Sequence, residues 1–365
     1  MVLKMKEKIK VMIVDDSASV RTVLGEILNS NPDMELIATA SDPIIAERLM
    51  KKQWPDVMIL DIEMPNKDGV TFLKEIMRYR PTPIVMCSSI AEKDAKVTME
   101  ALSAGAVEII TKPKIGLKNF LSESIDMITE AVRSASKSNV KKLKMNIETE
   151  LKYSPKLSAD VILSPAQGKF VAGISDRFVA LGASAGGTQA TEIVLKALPK
   201  NSPGIVIVQH MPEKFTKAYA SRLNTVCEVN VKEAENGDII KTGQVIVAPG
   251  SHHMLVKRKG EHYIVEIKDG PPVSRHRPSV DVLFRSVAKI AGKNALGVIL
   301  TGMGDDGAAG MLEMHNAGAK TVAQDKETCV VFGMPKEAIK LGGVEEVFPL
   351  NKIPEAILKF FSTQK

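Results

Sequence analysis

From Lys10 to about Ser134, short apolar runs alternate five times with longer stretches of helical periodicity. The runs at 10–15, 34–40, 57–61, 83–88 and 107–111 have strand length and composition. The segments 18–29, 43–52, 69–78, 93–104 and 118–133 repeat their apolar residues at helical spacing. Parallel strands need crossover connections, and helices fill them, so five such units predict one doubly wound parallel sheet.

Chemistry-bearing side chains sit where these strands give out. KVMIV leads into Asp15 and Asp16, VMIL into Asp61, and VEIIT into Lys112. In a parallel α/β sheet the carboxyl ends converge on one edge, where such folds bind ligands. Carboxylates crowded there repel one another and invite a hard divalent cation, for which Mg²⁺ is the natural candidate. Lys112 would pair with a phosphate oxygen, and Asp61 would act as an oxygen nucleophile that becomes an aspartyl phosphate. A lone strand-end aspartate would read as a helix cap or a solvated side chain. Four such residues in phase with the βα repeat favour a phosphoryl-acceptor site.

A second signal lies downstream. RFVALGASAGGTQATEIVLKALP (177–199) reads as a buried strand, a tight glycine turn and an amphipathic helix. Within it Ser184 occupies a G-x-S-x-G pattern, Gly182 to Gly186, as in a nucleophile elbow. Small neighbours let the backbone turn sharply, and the helix N-terminus behind it favours an oxyanion. The same pattern alone also fits a phosphate or dinucleotide loop. What distinguishes it is company. GIVIVQ leads into His210, and GVILTGMG leads into Asp305 and Asp306. Serine, histidine and aspartate at the ends of buried strands are the parts of a hydrolase triad. The Ala185 N–H, next after the nucleophile, is placed to serve the oxyanion.

A chain of 365 residues suits two domains, and 44% hydrophobic with 25% charged residues lets each bury a core. Lys and Arg cluster in the first ten residues, at 140–144 and at 257–260, none interleaved with aromatics. With a net charge of only +6, these read as solvated surface, and no nucleic-acid partner is expected. The three cysteines, Cys87, Cys227 and Cys329, lack metal or redox spacing and read as buried thiols of a reducing compartment. No apolar run nears the ~18 residues of a membrane span, and the N-terminus is too charged for a signal peptide. A soluble, cytoplasmic protein without membrane insertion is expected.

Residues 134–175 break the alternation with a polar, serine- and lysine-rich stretch, in which a short helix is expected around 140–152. That is linker composition, and a connection so long points to separate domains. The expected boundaries are 8–134, a linker at 135–175, and 176–365. In the second domain strands are expected at 177–182, 204–209, 245–248 and 297–301. A hairpin is expected over 253–267 about a Lys-Gly turn, and an amphipathic helix over 279–292.

On these residues the front third resembles a response-regulator receiver, through VDD (14–16), LDIEMPNKDG (60–69), MCSS (86–89) and TKP (111–113). The back half is similar to the catalytic domain of the CheB family of chemotaxis protein-glutamate methylesterases. LGASAGG (181–187), VQHMP (208–212), RHRPSVDVLF (275–284), LTGMGDDGAAGM (300–311) and CVVFGMP (329–335) carry that match. The resemblance implies an α/β chain of two doubly wound parallel-sheet domains, a flavodoxin-like receiver and a methylesterase domain.

For the receiver it implies Asp61 as phosphoacceptor, with Asp15 or Asp16 and the Glu63 carbonyl helping to hold Mg²⁺. Ser88 would bond the phosphoryl group on switching, and Lys112 would pair with it. Ile109 stands where the family usually has a switch aromatic, which puts an aromatic rotamer switch in doubt. For the esterase it implies Ser184 as nucleophile, His210 as general base and Asp306 as orienting acid, with Asp305 as the rival. Met303 resembles the family residue whose N–H serves the oxyanion, and no metal is needed there. Implied partners are methyl-accepting chemoreceptors as substrate and a chemotaxis histidine kinase as phosphodonor. The same geometry would release ammonia from glutamine.

The other histidines, His252, His253, His262, His276 and His315, have no second ligand at metal spacing and read as surface or structural. Arg275 and Arg277 suit either an acidic receptor surface or structural ion pairs. Two other function classes fit worse. A DNA-binding regulator predicts a short module with a basic recognition helix, not an α/β tail of this length. A nucleotide-binding reading of GASAGG lacks the lysine of a phosphate loop.

Overall fold

The computed structural model describes residues 8–64, 67–88, 92–112, 118–138, 140, 157–165, 177–213 and 215–362. Residues 141–152 of the expected helix and Pro113 of the TKP motif lie outside these residues. The chain divides into two compact units, 1–143 and 144–365.

The first unit runs β1 (Ile9–Val14), α1 (Ala18–Asn29), β2 (Met34–Ala40), α2 (Pro43–Met50), β3 (Val57–Asp61), α3 (Gly69–Tyr79), β4 (Ile84–Ser88), α4 (Glu92–Ser103), β5 (Glu108–Thr111) and α5 (Lys118–Ser136). Its strands form one parallel sheet in the order β2-β1-β3-β4-β5. Every residue of β3 and β4 is buried, as a strand covered on both faces must be. Helix starts are written in the sequence: Ser17, Asp42 and Asp68 each accept a backbone N–H of the first turn, and Pro43 opens α2.

The second unit continues with β6 (Phe178–Ala183), α6 (Gly187–Lys196), β7 (Gly204–Gln209), α7 (Phe215–Val226), β8 (Asn230–Glu233) and β9 (Gln244–Val247). A hairpin of β10 (His253–Lys259) and β11 (His262–Lys268) precedes α8 (Val280–Ile290). The chain ends with β12 (Ala295–Ile299), α9 (Ala308–Asn316), β13 (Lys320–Gln324), α10 (Met334–Lys340), β14 (Glu346–Phe348) and α11 (Ile353–Ser362). Seven parallel strands form a sheet in the order β14-β13-β12-β6-β7-β9-β8. From β6 the chain first builds toward β8 and later returns to β12 on the other side. The β6/β12 junction is therefore the switch point, where loops part and a cleft opens.

The four expected strands and the hairpin are present. Strands β8, β13 and β14 were not expected. NVKE and EVF occupy the two sheet edges and carry too few apolar residues to announce themselves, and KTVAQ is equally mixed. Helix α8 buries Leu283, Phe284 and Val287 in a core that also holds Phe178, Val206 and Ile246.

Part of the expected linker belongs to this second unit. Ala159 and Ile162 pack with Leu255, Val273 and Val282. Arg285, largely buried, pairs with Asp160 and Glu313 and donates to the Leu163 carbonyl at 3.0 Å. A Cβ on Gly270 would stand 2.2 Å from Ile162 Cδ1, so a larger residue there would make the isoleucine tip shift.

Candidate active site

In the first unit, Asp15 follows β1, Asp61 ends β3 and Lys112 follows β5, which brings all three to one sheet edge. Lys112 Nζ lies 2.7 Å from Asp61 Oδ2 and 3.1 Å from Asp15 Oδ2. The Oδ1 atoms are already engaged, Asp15 by the Ser17 N–H (2.9 Å) and Asp61 by the Ile62 N–H (2.7 Å). The two Oδ2 atoms are buried and point at the lysine. Burial pushes the Asp61 carboxyl up to about 6; the Lys112 hydrogen bond opposes this, and the Asp15 charge adds to it. Asp16, exposed, brings a third carboxylate, with ligand atoms of the three within 4.8 Å of one another. Two buried oxygens and one exposed carboxylate fit a hard, oxygen-seeking cation that keeps part of its water. Ser88 closes β4 and accepts from Thr98 Oγ1 at 3.4 Å. Glu63 lies two residues past Asp61, and Ile109 is buried in β5.

In the second unit, the turn after β6 presents Ser184. Its N–H donates to the Thr301 carbonyl (3.0 Å), and its own carbonyl accepts from the Gly187 N–H (2.7 Å) and Gln209 Nε2 (2.9 Å). Gly186 has φ +73°, a backbone that costs a residue with a Cβ, and a Cβ there would collide with Val330. Gly302 is required for space: a Cβ would stand 2.8 Å from the Ser184 Cβ. Thr301 Oγ1 donates to the Ala185 carbonyl (2.9 Å) and accepts from the Val331 N–H (2.9 Å), tying CVVFGMP to the turn. Among the described residues neither the Ala185 nor the Met303 N–H donates to another protein atom. Both remain available to an oxyanion.

His210 follows β7, its N–H held by the Ala183 carbonyl at 3.1 Å. Its Nε2 lies 2.7 Å from Asp306 Oδ2, and its Nδ1 is buried with no hydrogen-bond partner. Asp306 is over-determined. Its Oδ1 accepts from Ser279 Oγ (2.7 Å) and the Asp281 N–H (3.0 Å), its Oδ2 from the Val280 N–H (2.8 Å). These donors are the N-terminus of α8, whose dipole favours an anion. Burial alone would raise the Asp306 carboxyl; the His210 hydrogen bond and charge outweigh it and hold the acid below the usual carboxylate range. Burial and the Asp306 charge push the adjacent Asp281 the other way. Asp305, its chain neighbour, is half-buried.

Sequence reasoning missed several members of this site. His276 lies face to face on His210, ring centroids 3.6 Å apart and planes 6° from parallel. It was read as surface or structural, and no spacing rule could have found it. Gln209, Thr301 and Ser279 were likewise invisible, although Ser279 was placed at a helix start. Arg277 pairs with Asp269 at 2.9 Å. His210, His276 and Asp306 lie within metal-ligating distance of one another. Parallel stacked rings, however, send their lone pairs side by side, and Asp306 already accepts from its α8 cradle, so the set suits proton transfer better than a cation.

The sequence matches the CheB methylesterase family over residues 179–357 and the response regulator receiver domain over 11–121. A protein-glutamate methylesterase/protein-glutamine glutaminase of Xanthomonas campestris pv. campestris is 57% identical over 95% of this chain and 99% of its own length. A relative of the same name from Dechloromonas aromatica is 58% identical over 98% of this chain and 99% of its own. Among solved structures, the Thermotoga maritima CheB methylesterase catalytic domain aligns at a TM-score of 0.50 and 41% identity. It covers 51% of this chain and 99% of that domain.

Proposed function

The chain belongs to the CheB methylesterase family, as a protein-glutamate methylesterase/protein-glutamine glutaminase with a receiver domain, and we propose that Ser184, His210 and Asp306 carry its hydrolysis. The observation that supports this most is the His210 ring, engaged by Asp306 at Nε2 and left with a bare Nδ1, on a residue whose backbone N–H is bonded to the carbonyl of Ala183, next to Ser184. Asp306 fixes the tautomer with the proton on Nε2, so Nδ1 is the base. It takes the Ser184 proton as Oγ attacks the ester carbonyl of a receptor glutamate side chain. The Ala185 and Met303 N–H groups receive the oxyanion. As the intermediate collapses, the C–O bond breaks, Nδ1–H protonates departing methanol, and an acyl-serine remains. Water, deprotonated by Nδ1, cleaves that ester to glutamate and restores Ser184. A glutamine side chain would lose ammonia by the same path.

The substrate is then a chemoreceptor's cytoplasmic helical region, and the enzyme acts in the cytoplasm. The receiver spans 8–134, the linker 135–175 and the esterase 176–365, with 157–165 packed on the esterase. In the receiver, Asp15, Asp16 and Asp61, with the Glu63 carbonyl, would hold Mg²⁺. The ion supplies charge neutralisation for the incoming phosphoryl group. Asp61 Oδ2 attacks phosphorus on the kinase's phosphohistidine, the P–N bond breaks, and Lys112 pairs with a phosphoryl oxygen. Ser88 then hydrogen-bonds the new group. Methanol release from methylated receptor membranes tests the esterase assignment. Ser184→Ala and His210→Ala should both abolish it, and normal turnover in either would sink the reading.

A further inference from the structure

His276 comes from RHRPS, a segment with no place in the triad, yet its ring covers a face of His210 at 3.6 Å with planes 6° apart. The contact is built, not incidental. Val273 and His276 exchange two backbone hydrogen bonds, 3.0 and 2.8 Å, closing a turn through Ser274 and Arg275. Both turn residues are non-glycine with left-handed backbone, φ 49° and 70°. Consecutive left-handed residues persist only where surroundings over-determine them, and such strain gathers at functional sites. Three anchors hold the turn: the Ser274 N–H donates to the Leu157 carbonyl (2.8 Å), the Ser251 N–H to the Arg277 carbonyl (3.2 Å), and Arg277 Nη1 to Asp269 Oδ1 and the Gly270 carbonyl.

A single hydrogen bond at Nε2 does not by itself fix the His210 ring plane, because rotation about Cβ–Cγ moves Nδ1 while Nε2 stays close to the axis. We propose that His276 is a positioning residue of the hydrolase, a flat wall that fixes the His210 ring plane. Its π-face also lies against the ring that becomes imidazolium as His210 takes the serine proton. This rests on the triad proposed above, and it assigns to His276 no contact with substrate.

The test uses the full chain with His276→Phe, His276→Leu and His276→Ala. The phenyl ring keeps a flat, uncharged face; leucine fills similar space without one. His276→Phe should keep kcat within about 3-fold of wild type, while His276→Leu and His276→Ala lose about 10- to 100-fold in kcat with KM little changed. Inactivation by phenylmethanesulfonyl fluoride, which needs the same base, should slow in parallel. Wild-type kcat in folded His276→Leu, or an equal loss in the phenylalanine and leucine variants, would overturn the proposal. Should His276→Ala fail to fold, the phenylalanine-to-leucine ratio decides alone. Full activity in all three beside dead Ser184→Ala and His210→Ala removes only this inference; an active Ser184→Ala removes the triad reading itself.

Discussion

Asp305 and Asp306 are chain neighbours in opposite surroundings. Asp306 is buried and accepts from Ser279, Val280, Asp281 and His210, whereas Asp305 is half-buried. An amide at 306 can present its NH₂ to donors and lose the imidazole tautomer. Asp306→Asn should therefore lower methanol release by about 10⁴-fold, while Asp305→Asn stays within a few-fold. The reverse ranking would shift the assignment by one position. Thr301 supports the same site more quietly, its hydroxyl joining the Ala185 carbonyl and the Val331 N–H. Thr301→Val leaves both unpartnered and should cost about 1–3 kcal/mol of stability, measured by urea denaturation of the esterase unit. Ser184 and His210 were legible because each directly follows a strand whose apolar run announces it, and Asp306 because its loop follows such a strand, β12. Thr301, Gln209 and His276 were not, since their partners lie far away in sequence and no local pattern encodes such crossings.

At the scale of elements, β5 sets Glu108 against α5, with its Oε2 buried and unpartnered among the described residues. Burial first, and the Glu130 charge second, push this carboxyl up to about 7. The folded receiver therefore binds a proton that the unfolded chain releases at its ordinary value of 4.5. A raised folded value gives stability that is full below 4.5 and is lost as pH rises through about 7. Glu108→Gln should thus stabilise the receiver at pH 8 by about 1–2 kcal/mol, the residue's partial exposure discounting the full shift, and by almost nothing at pH 4. Equal effects at both pH values would show that Glu108 is not held neutral. The strands buried on both faces, β3, β4, β6 and β7, were readable as unbroken apolar runs. Edge strands β8 and β14 were not, because an edge needs only one good face and reads like a loop. The seating of 157–165 was equally hidden, for Ile162 packs with Leu255, Val273 and Val282, all far away in sequence.

Each unit closes its own sheet, so a phosphoryl-acceptor edge and a hydrolase cleft stand as separable chemistries within one chain. Two such parts gain from fusion only if one changes the other's output. Phosphorylation turns the Asp61 carboxylate into an acyl phosphate with about one more negative charge, engages Lys112 and draws on Ser88 at the end of β4, altering the receiver surface that continues from that strand. If the unphosphorylated receiver restrains access of a bulky helical substrate, removing it should raise basal methanol release. The informative fragment begins at residue 155, so that Leu157 still holds the Ser274 N–H and Ile162 still fills its place against Gly270. A fragment beginning at 176 loses both and should be less stable and slower than the longer one, measured by thermal melting and methanol release. Asp61→Ala in the full chain should stay at low activity even with kinase and ATP, because no acceptor oxygen remains. Phosphorylation that also improves receptor engagement would leave the 155–365 fragment below the phosphorylated full chain but above the unphosphorylated one. A folded 155–365 fragment slower than the unphosphorylated full chain would end the inhibitory account and leave activation by engagement alone.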